Sequence, residues 1–124
     1  MRSLLLAAAL WLAAAGCGVC VEDKIAACYD HAVIERARSR GQEVAFFALE
    51  GPFARDAAIA ANLRRQIESA PGVQAGSARV SVEIGALSFA YDPRRTNAMA
   101  AADAIEKRTG FSLGLLKVEG PGNR

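Results

Sequence analysis

From Glu43 to Val118 the apolar residues change their spacing in an order that few folds accept. Glu43 to Glu50 (EVAFFALE) reads as a strand, closed by Gly51-Pro52. Phe53 to Ser69 carries Ile59, Ala60, Leu63 and Ile67 at helical spacing, and Pro71-Gly72 breaks it. Arg79 to Glu83 and Leu87 to Tyr91 alternate, with Val80, Val82 and Ile84 on one face and then Leu87, Phe89 and Tyr91. Gly85-Ala86 between them suits a two-residue type II′ hairpin turn. Asp92-Pro93 ends the second of these strands. Thr96 stands where it can N-cap a helix to about Arg108, with Met99, Ala102 and Ile105 inward. Thr109-Gly110 stops that helix, Phe111 to Val118 is a last strand, and Gly120 to Arg124 is expected to fray. The order strand, helix, strand, strand, helix, strand specifies an α+β fold: a ferredoxin-like βαββαβ sandwich, with both helices on one face of an antiparallel sheet.

An additional N-terminal helix precedes this unit, from Val21 to about Arg40. Glu22 and Asp23 lie in its first turn and Arg36, Arg38 and Arg40 in its last, matching the helix dipole at both ends, and Gly41 stops it. Val21, Ile25, Cys28, Tyr29 and Ala32 form one apolar stripe, so Cys28 lies on or beside a buried face while His31 falls off the polar edge. A small domain has a marginal core. The stripe is expected to stabilise it by covering part of the sheet or of the helix layer, unless it pairs with another chain.

The N-terminus reads as a targeting segment. Met1-Arg2 supplies a short positive region and Leu4 to Ala15 an apolar run. The chain thus divides into a leader over 1–15, a cysteine-bearing helix over 16–41 and a domain over 43–119. Three fates of the leader stay open. Ala13 and Ala15 fit cleavage before Gly16; Ala14-Ala15-Gly16-Cys17 resembles a lipoprotein signal, with Ala14 where that motif usually has leucine; Leu4 to Val21 is just long enough for a retained membrane helix. Each predicts an exported protein, periplasmic or membrane-anchored in the cell envelope, touching membrane only through the leader or a lipid anchor.

Composition narrows the function. With 15 basic against 13 acidic side chains there is no dense basic face for nucleic acid, and Arg64-Arg65 and Arg94-Arg95 read as solvated surface. Aromatic residues make up only 6% of the chain, so its core is expected to be aliphatic, built on Val, Ile, Leu and the five Phe. No catalytic constellation stands out: the single histidine, His31, lacks a nucleophile or acid partner, and there is no glycine-rich phosphate loop. Asp92, Asp103, Glu68 and Glu106 read as capping and surface charges. A non-enzymatic role is expected.

The chemistry that remains is thiol chemistry. Cys17-Gly18-Val19-Cys20 is a CxxC opening a helix. Positions i and i+3 bring both sulfurs to one side of the first turn, where free backbone N–H groups stabilise the thiolate that binds metal. Two thiolates suit linear Cu(I) or Hg(II), whereas Zn(II) wants two further ligands. Cys28 lies eight residues beyond Cys20, about 12 Å along a helix, and His31 is farther still. Those two rank behind the first pair as metal ligands, and their plainer reading is a small core residue and a surface imidazole. Lipidation of Cys17 leaves no pair, and an incidental disulfide is a further possibility in an oxidising compartment. A thioredoxin-like site would place CxxC after a strand, which disfavours a redox role.

The strand ending in Gly51, Ile67 to Val73 (IESAPGV), the hairpin, Tyr91-Asp92-Pro93 and Ala104 to Phe111 (AIEKRTGF) together resemble the heavy-metal-associated domain family over Glu43 to Val118. These are the small metal-binding domains of copper chaperones, copper-transporting ATPases and the periplasmic mercury-binding protein. The resemblance implies a soft metal ion (Cu, Hg or Zn) as cargo, and a membrane metal transporter or other envelope protein as partner. The family's metal loop follows the first strand as Gly-Met-x-Cys-x-x-Cys. Here the stretch is Gly51-Pro52-Phe53-Ala54-Arg55-Asp56-Ala57, with alanine at both cysteine positions, and no cysteine follows Cys28. The expected ligands are therefore Cys17 and Cys20, on an element that the family does not share. The alternatives are a metal-free envelope interaction module, lipid-anchored at Cys17 in one form, and a thiol redox protein.

Overall fold

Strand β1 (Glu43–Glu50) has no polar residue between its terminal glutamates, and all six residues between them are buried. A strand with both faces dry needs a layer on each side of its sheet. The computed structural model, which describes residues 20–120, supplies both. Along the chain come α1 (Val21–Cys28), α2 (His31–Ser39), β1, α3 (Ala57–Glu68), β2 (Arg79–Ser81), β3 (Ala86–Tyr91), α4 (Ala98–Thr109) and β4 (Ser112–Glu119). The strands form one antiparallel sheet in the order β2-β3-β1-β4, the ferredoxin-like arrangement that the sequence predicts. Glu43 pairs with Tyr91 and Val44 with Glu119, and a register shift between Phe46 and Phe47 bulges the β1–β4 pairing.

One face carries Ala45, Phe47, Leu49, Leu87, Phe89 and Leu113 against Leu63 and Ile67 of α3 and Ala101, Ala102 and Ile105 of α4. The Phe47 and Phe89 rings stack at its centre, 5.6 Å apart. On the opposite face Val44, Phe46 and Ala90 pack against Val33, Ile34 and Ala37 of α2, with Ile25 of α1 beside them. The N-terminal region therefore covers the sheet, and not the helix layer.

It does so as two helices rather than the single one expected over Val21 to Arg40. A straight helix of that length would run about 30 Å, whereas four strands spaced about 4.8 Å apart are only about 14 Å wide. The chain turns at Tyr29, whose backbone is extended, and Asp30 starts the second helix by accepting a hydrogen bond from the Ala32 N–H at 2.9 Å. Three contacts hold this corner to the sheet. The Ser88 hydroxyl donates to the Cys28 carbonyl at 2.8 Å, Arg79 Nε donates to Asp30 at 3.0 Å, and Tyr29 stacks on Phe46 with centroids 6.4 Å apart. The predicted stripe holds only in part, since Cys28 is buried and Ile25 half-buried while Val21, Tyr29 and Ala32 remain exposed.

Other boundaries also differ from expectation, each for a local reason. Helix α3 begins at Ala57, four residues late, because Asp56 caps it through the Ala58 N–H at 2.7 Å and Phe53 turns away onto Phe111. The hairpin loop is Val82–Gly85 rather than Gly85-Ala86: Ser81 pairs with Ala86, and Gly85 N–H donates to the Ser81 carbonyl at 2.9 Å. Asn97, not Thr96, caps α4 through the Ala100 N–H, which leaves Met99 58% exposed instead of inward. The turn before β2 is as tight as its sequence suggests. Gly72 has φ +83, its carbonyl accepts from the Asp92 N–H at 3.0 Å, and a Cβ there would lie 2.5 Å from Thr96 Cγ2. Pro71-Gly72-Val73 and Tyr91-Asp92-Pro93 thus form one joint, tied again by a Val73–Tyr91 bridge.

Two outcomes test the second layer. Phe46→Ala is expected to cost about 3–5 kcal/mol in a denaturant melt; a loss below about 1 kcal/mol would mean that the cover does not pack. Burial pushes the Cys28 thiol up to about 11 from its ordinary 9.0, against a smaller opposing effect of a backbone hydrogen bond with Ser81. A folded-state pKa above the unfolded one favours the protonated native form. Its contribution is therefore full below about pH 9 and fades as the pH rises through about 11. Alkaline melts of the Cys28→Ala variant should lack this component; an identical pH profile would contradict it.

Candidate functional site

Helix α1 places its two described cysteines in opposite surroundings. Cys20 is the N-cap residue, its carbonyl already accepting the Lys24 N–H at 3.1 Å, and its side chain is exposed. It makes no capping bond; its thiol donates instead to Asp23 Oδ2 at 3.3 Å. A thiol so placed is open to solvent, to a metal ion or to a partner's sulfur. Cys17, the other member of the predicted pair, lies outside the described residues, as do the leader over 1–15 and the segment beyond Gly120.

Cys28 is 2% exposed at the far end of the same helix, under the Ser81–Ser88 part of the sheet. Burial pushes its pKa up to about 11, so it stays a protonated thiol well above neutral pH, a poor ligand and a poor nucleophile. The secondary pairing of Cys28 with His31 fails geometrically. The helix breaks between them, so the i, i+3 relation is lost, and His31 opens α2 on the exposed side with Nε2 3.9 Å from Glu35. Cys28 thus lies in the core and His31 on the surface.

The β1–α3 loop is the place where the resembled family would carry its ligands. Here Ala54 and Ala57 are both exposed and present only methyl groups. The neighbouring side chains are spent on structure. Phe53 packs edge-on against Phe111 with centroids 6.0 Å apart, Arg55 lies over the Phe53 ring and donates to the Glu83 carbonyl, and Asp56 caps α3. This loop does not fit a thiophilic ion. Among the described residues there is no group of three or more His, Cys, Asp or Glu side chains that could hold a metal. Nor is any described helix long and apolar enough to cross a membrane, and the anchor reading concerns residues that are mostly outside that range.

Two surface features go beyond what their residues suggested in the sequence, where Arg64 was read with Arg65 as solvated surface. Arg79, read there only as the start of a strand, forms the ion pair with Asp30 and fastens the helical cover. Arg64 flanks a groove between α3 and β2. The signal for the first was available in Asp30, a capping residue in the middle of a supposed helix; nothing in the sequence marked the second.

No family model matches the chain, and no curated protein matches it in sequence. Solved structures do match. A copper-binding domain of HMA7, a P-type ATPase, is 19% identical with a TM-score of 0.52, covering 62% of this chain and 97% of that one. Oxidized MerP from Ralstonia metallidurans CH34 is 14% identical with a TM-score of 0.51, covering 61% and 99%. The N-terminal domain of a potential copper-translocating P-type ATPase from Bacillus subtilis, solved in its Cu(I)-loaded state, is 24% identical with a TM-score of 0.51, covering 63% and 91%. At such identities the likeness is one of fold, and function has to be argued from the site. The chain carries the fold of the heavy-metal-associated domains, without cysteines in the β1–α3 loop and with two added helices laid over the sheet.

Proposed function

We propose that this chain is an exported, non-enzymatic protein that binds or transfers a soft metal ion through Cys17 and Cys20. The observation that carries the reading is the Cys20 thiol, exposed at the N-cap of α1 while Cys28 is sealed below. The fold supports it, since two of the similar structures are described as copper domains of P-type ATPases. Two thiolates favour Cu(I), or Hg(II) as the same soft class, over Zn(II), which prefers four ligands. An ion held at the exposed Cys20 thiol can pass to a partner's thiolates by stepwise ligand exchange, with no opening of either hydrophobic core. The partner in this account is a membrane metal transporter or another envelope protein, and the location is the periplasm or the envelope surface.

A second reading has its own observation. The β1–α3 loop presents Ala54 and Ala57 and its neighbours serve packing and capping, which favours a metal-free interaction module on this fold; in one form of that reading Cys17 carries a lipid anchor. The two readings part in one titration. The reduced protein, cut at Gly16, should develop a thiolate-to-metal charge-transfer band with Cu(I) or Hg(II), keep it in Cys28→Ser and lose it in Cys20→Ser. Absence of the band in the parent protein overturns the metal reading. Intact mass spectrometry of the protein from its native host decides the anchor: a diacylglyceryl mass on Cys17 removes the thiol pair.

A further inference from the structure

We propose that α1 opens on its own, as an arm hinged at Tyr29 that leaves α2 and the sheet in place. The two helices of the cover are held in different ways. Helix α2 sinks Val33, Ile34 and Ala37 into the second core, against Val44, Phe46 and Ala90. Helix α1 exposes Val21, Glu22, Asp23, Ala26 and Ala27, half-buries Lys24 and Ile25, and buries only Cys28 at its end. On the same face as Phe46 the sheet carries the small residues Ala48, Ala86 and Ser88. They let a helix lie close to the strands while engaging little apolar side chain. A segment that buries so little apolar surface has low local stability.

The hinge separates the two helices cleanly. Tyr29 is extended between them, with φ −76 and ψ 127. Helix α2 has a start of its own: Asp30 accepts the Ala32 N–H on its carboxylate and the Ile34 N–H on its carbonyl, at 2.9 and 3.0 Å. The Asp30–Arg79 ion pair also lies on the α2 side. Release of α1 therefore gives up the Ser88 hydroxyl bond to the Cys28 carbonyl and the contact of the Cys28 thiol with the Ser81 backbone, but uncaps nothing in α2. An eight-residue helix does not persist alone in water, so the released arm unwinds. Its eight residues span about 12 Å as a helix and about 26 Å as extended chain. The use of this motion rests on the metal reading above, because the longer arm carries the Cys20 thiol away from the sheet toward a partner's thiolates.

The test is run without metal, on the reduced protein cut at Gly16 and carrying Cys17→Ser and Cys20→Ser, which leaves Cys28 as its one thiol. Cys28 should react with an aromatic disulfide reagent at a rate that is flat in low urea, whereas exchange of the Phe46 amide, which needs global unfolding, should rise steeply. Amides of Ala26, Ala27 and Cys28 should exchange at least tenfold faster than those of Ile34 and Ala37. Ser88→Ala should speed the thiol reaction about fivefold. Val33→Ala should leave that rate unchanged while lowering the urea midpoint, since Val33 stays packed when α1 opens. Three results would overturn the proposal. They are a thiol reaction that climbs with urea in parallel with Phe46 exchange, equal protection of the α1 and α2 amides, and a tenfold acceleration by Val33→Ala, which would make the cover open as one piece. None of these readouts involves metal, so the arm and the metal reading can fail separately.

Discussion

Phe46 and Phe47 are neighbours on one strand, point to opposite sides of the sheet, and are both sealed from water. Much else in the molecule answers to that double burial. Phe47 stacks on Phe89 under α3 and α4, as one layer of helices requires. Phe46 needs a second layer, and the chain supplies it from its own N-terminus: α2 covers it from one side and the Tyr29 ring from the other. The polar ties at the corner, Ser88 to the Cys28 carbonyl and Arg79 to Asp30, fix where the cover sits. Apolar area supplies most of its stability, because a hydrogen bond contributes only about 1 kcal/mol net.

The same cover sorts the thiols. It lays α1 on the sheet so that the helix's last residue is buried and its N-cap is not, which separates an inert Cys28 from an open Cys20. Meanwhile the β1–α3 loop has been given over to packing, through Phe53 on Phe111 and Arg55 on the Glu83 carbonyl. The exposed thiol and the packed fold are thus carried by different parts of one chain.

Element order was legible in the sequence because each segment has one dominant period and a clear stop, such as Pro71-Gly72 or Thr109-Gly110. Pro71-Gly72 and Asp92-Pro93 were legible as stops, whereas their joint beside Thr96 came only with the structure. Caps were harder to place: Asn97 displaced Thr96, and Asp56 started α3 four residues after Phe53, which shifted helix starts by one to four residues. The break at Tyr29–Asp30 was missed because helical spacing continues across it, and only the width of the sheet forbids a straight helix. The position of the cover did leave a trace, for Val44 to Leu49 is apolar at every residue, where one buried face would have produced alternation. Of the candidate site, the emptiness of the loop at Ala54 and Ala57 was readable directly. The seclusion of Cys28 was readable from its stripe, and the openness of Cys20 came only with the structure.

The central claim is that metal chemistry in this chain belongs to the segment ahead of α1 and not to the loop that follows β1. Titration of the reduced, isotope-labelled protein with Cu(I), followed by amide NMR, reads this residue by residue. The account predicts shifts confined to residues 16–24, with residues 51–57 unmoved at one equivalent. Shifts centred on 51–57, or no shifts anywhere in the chain, would contradict it.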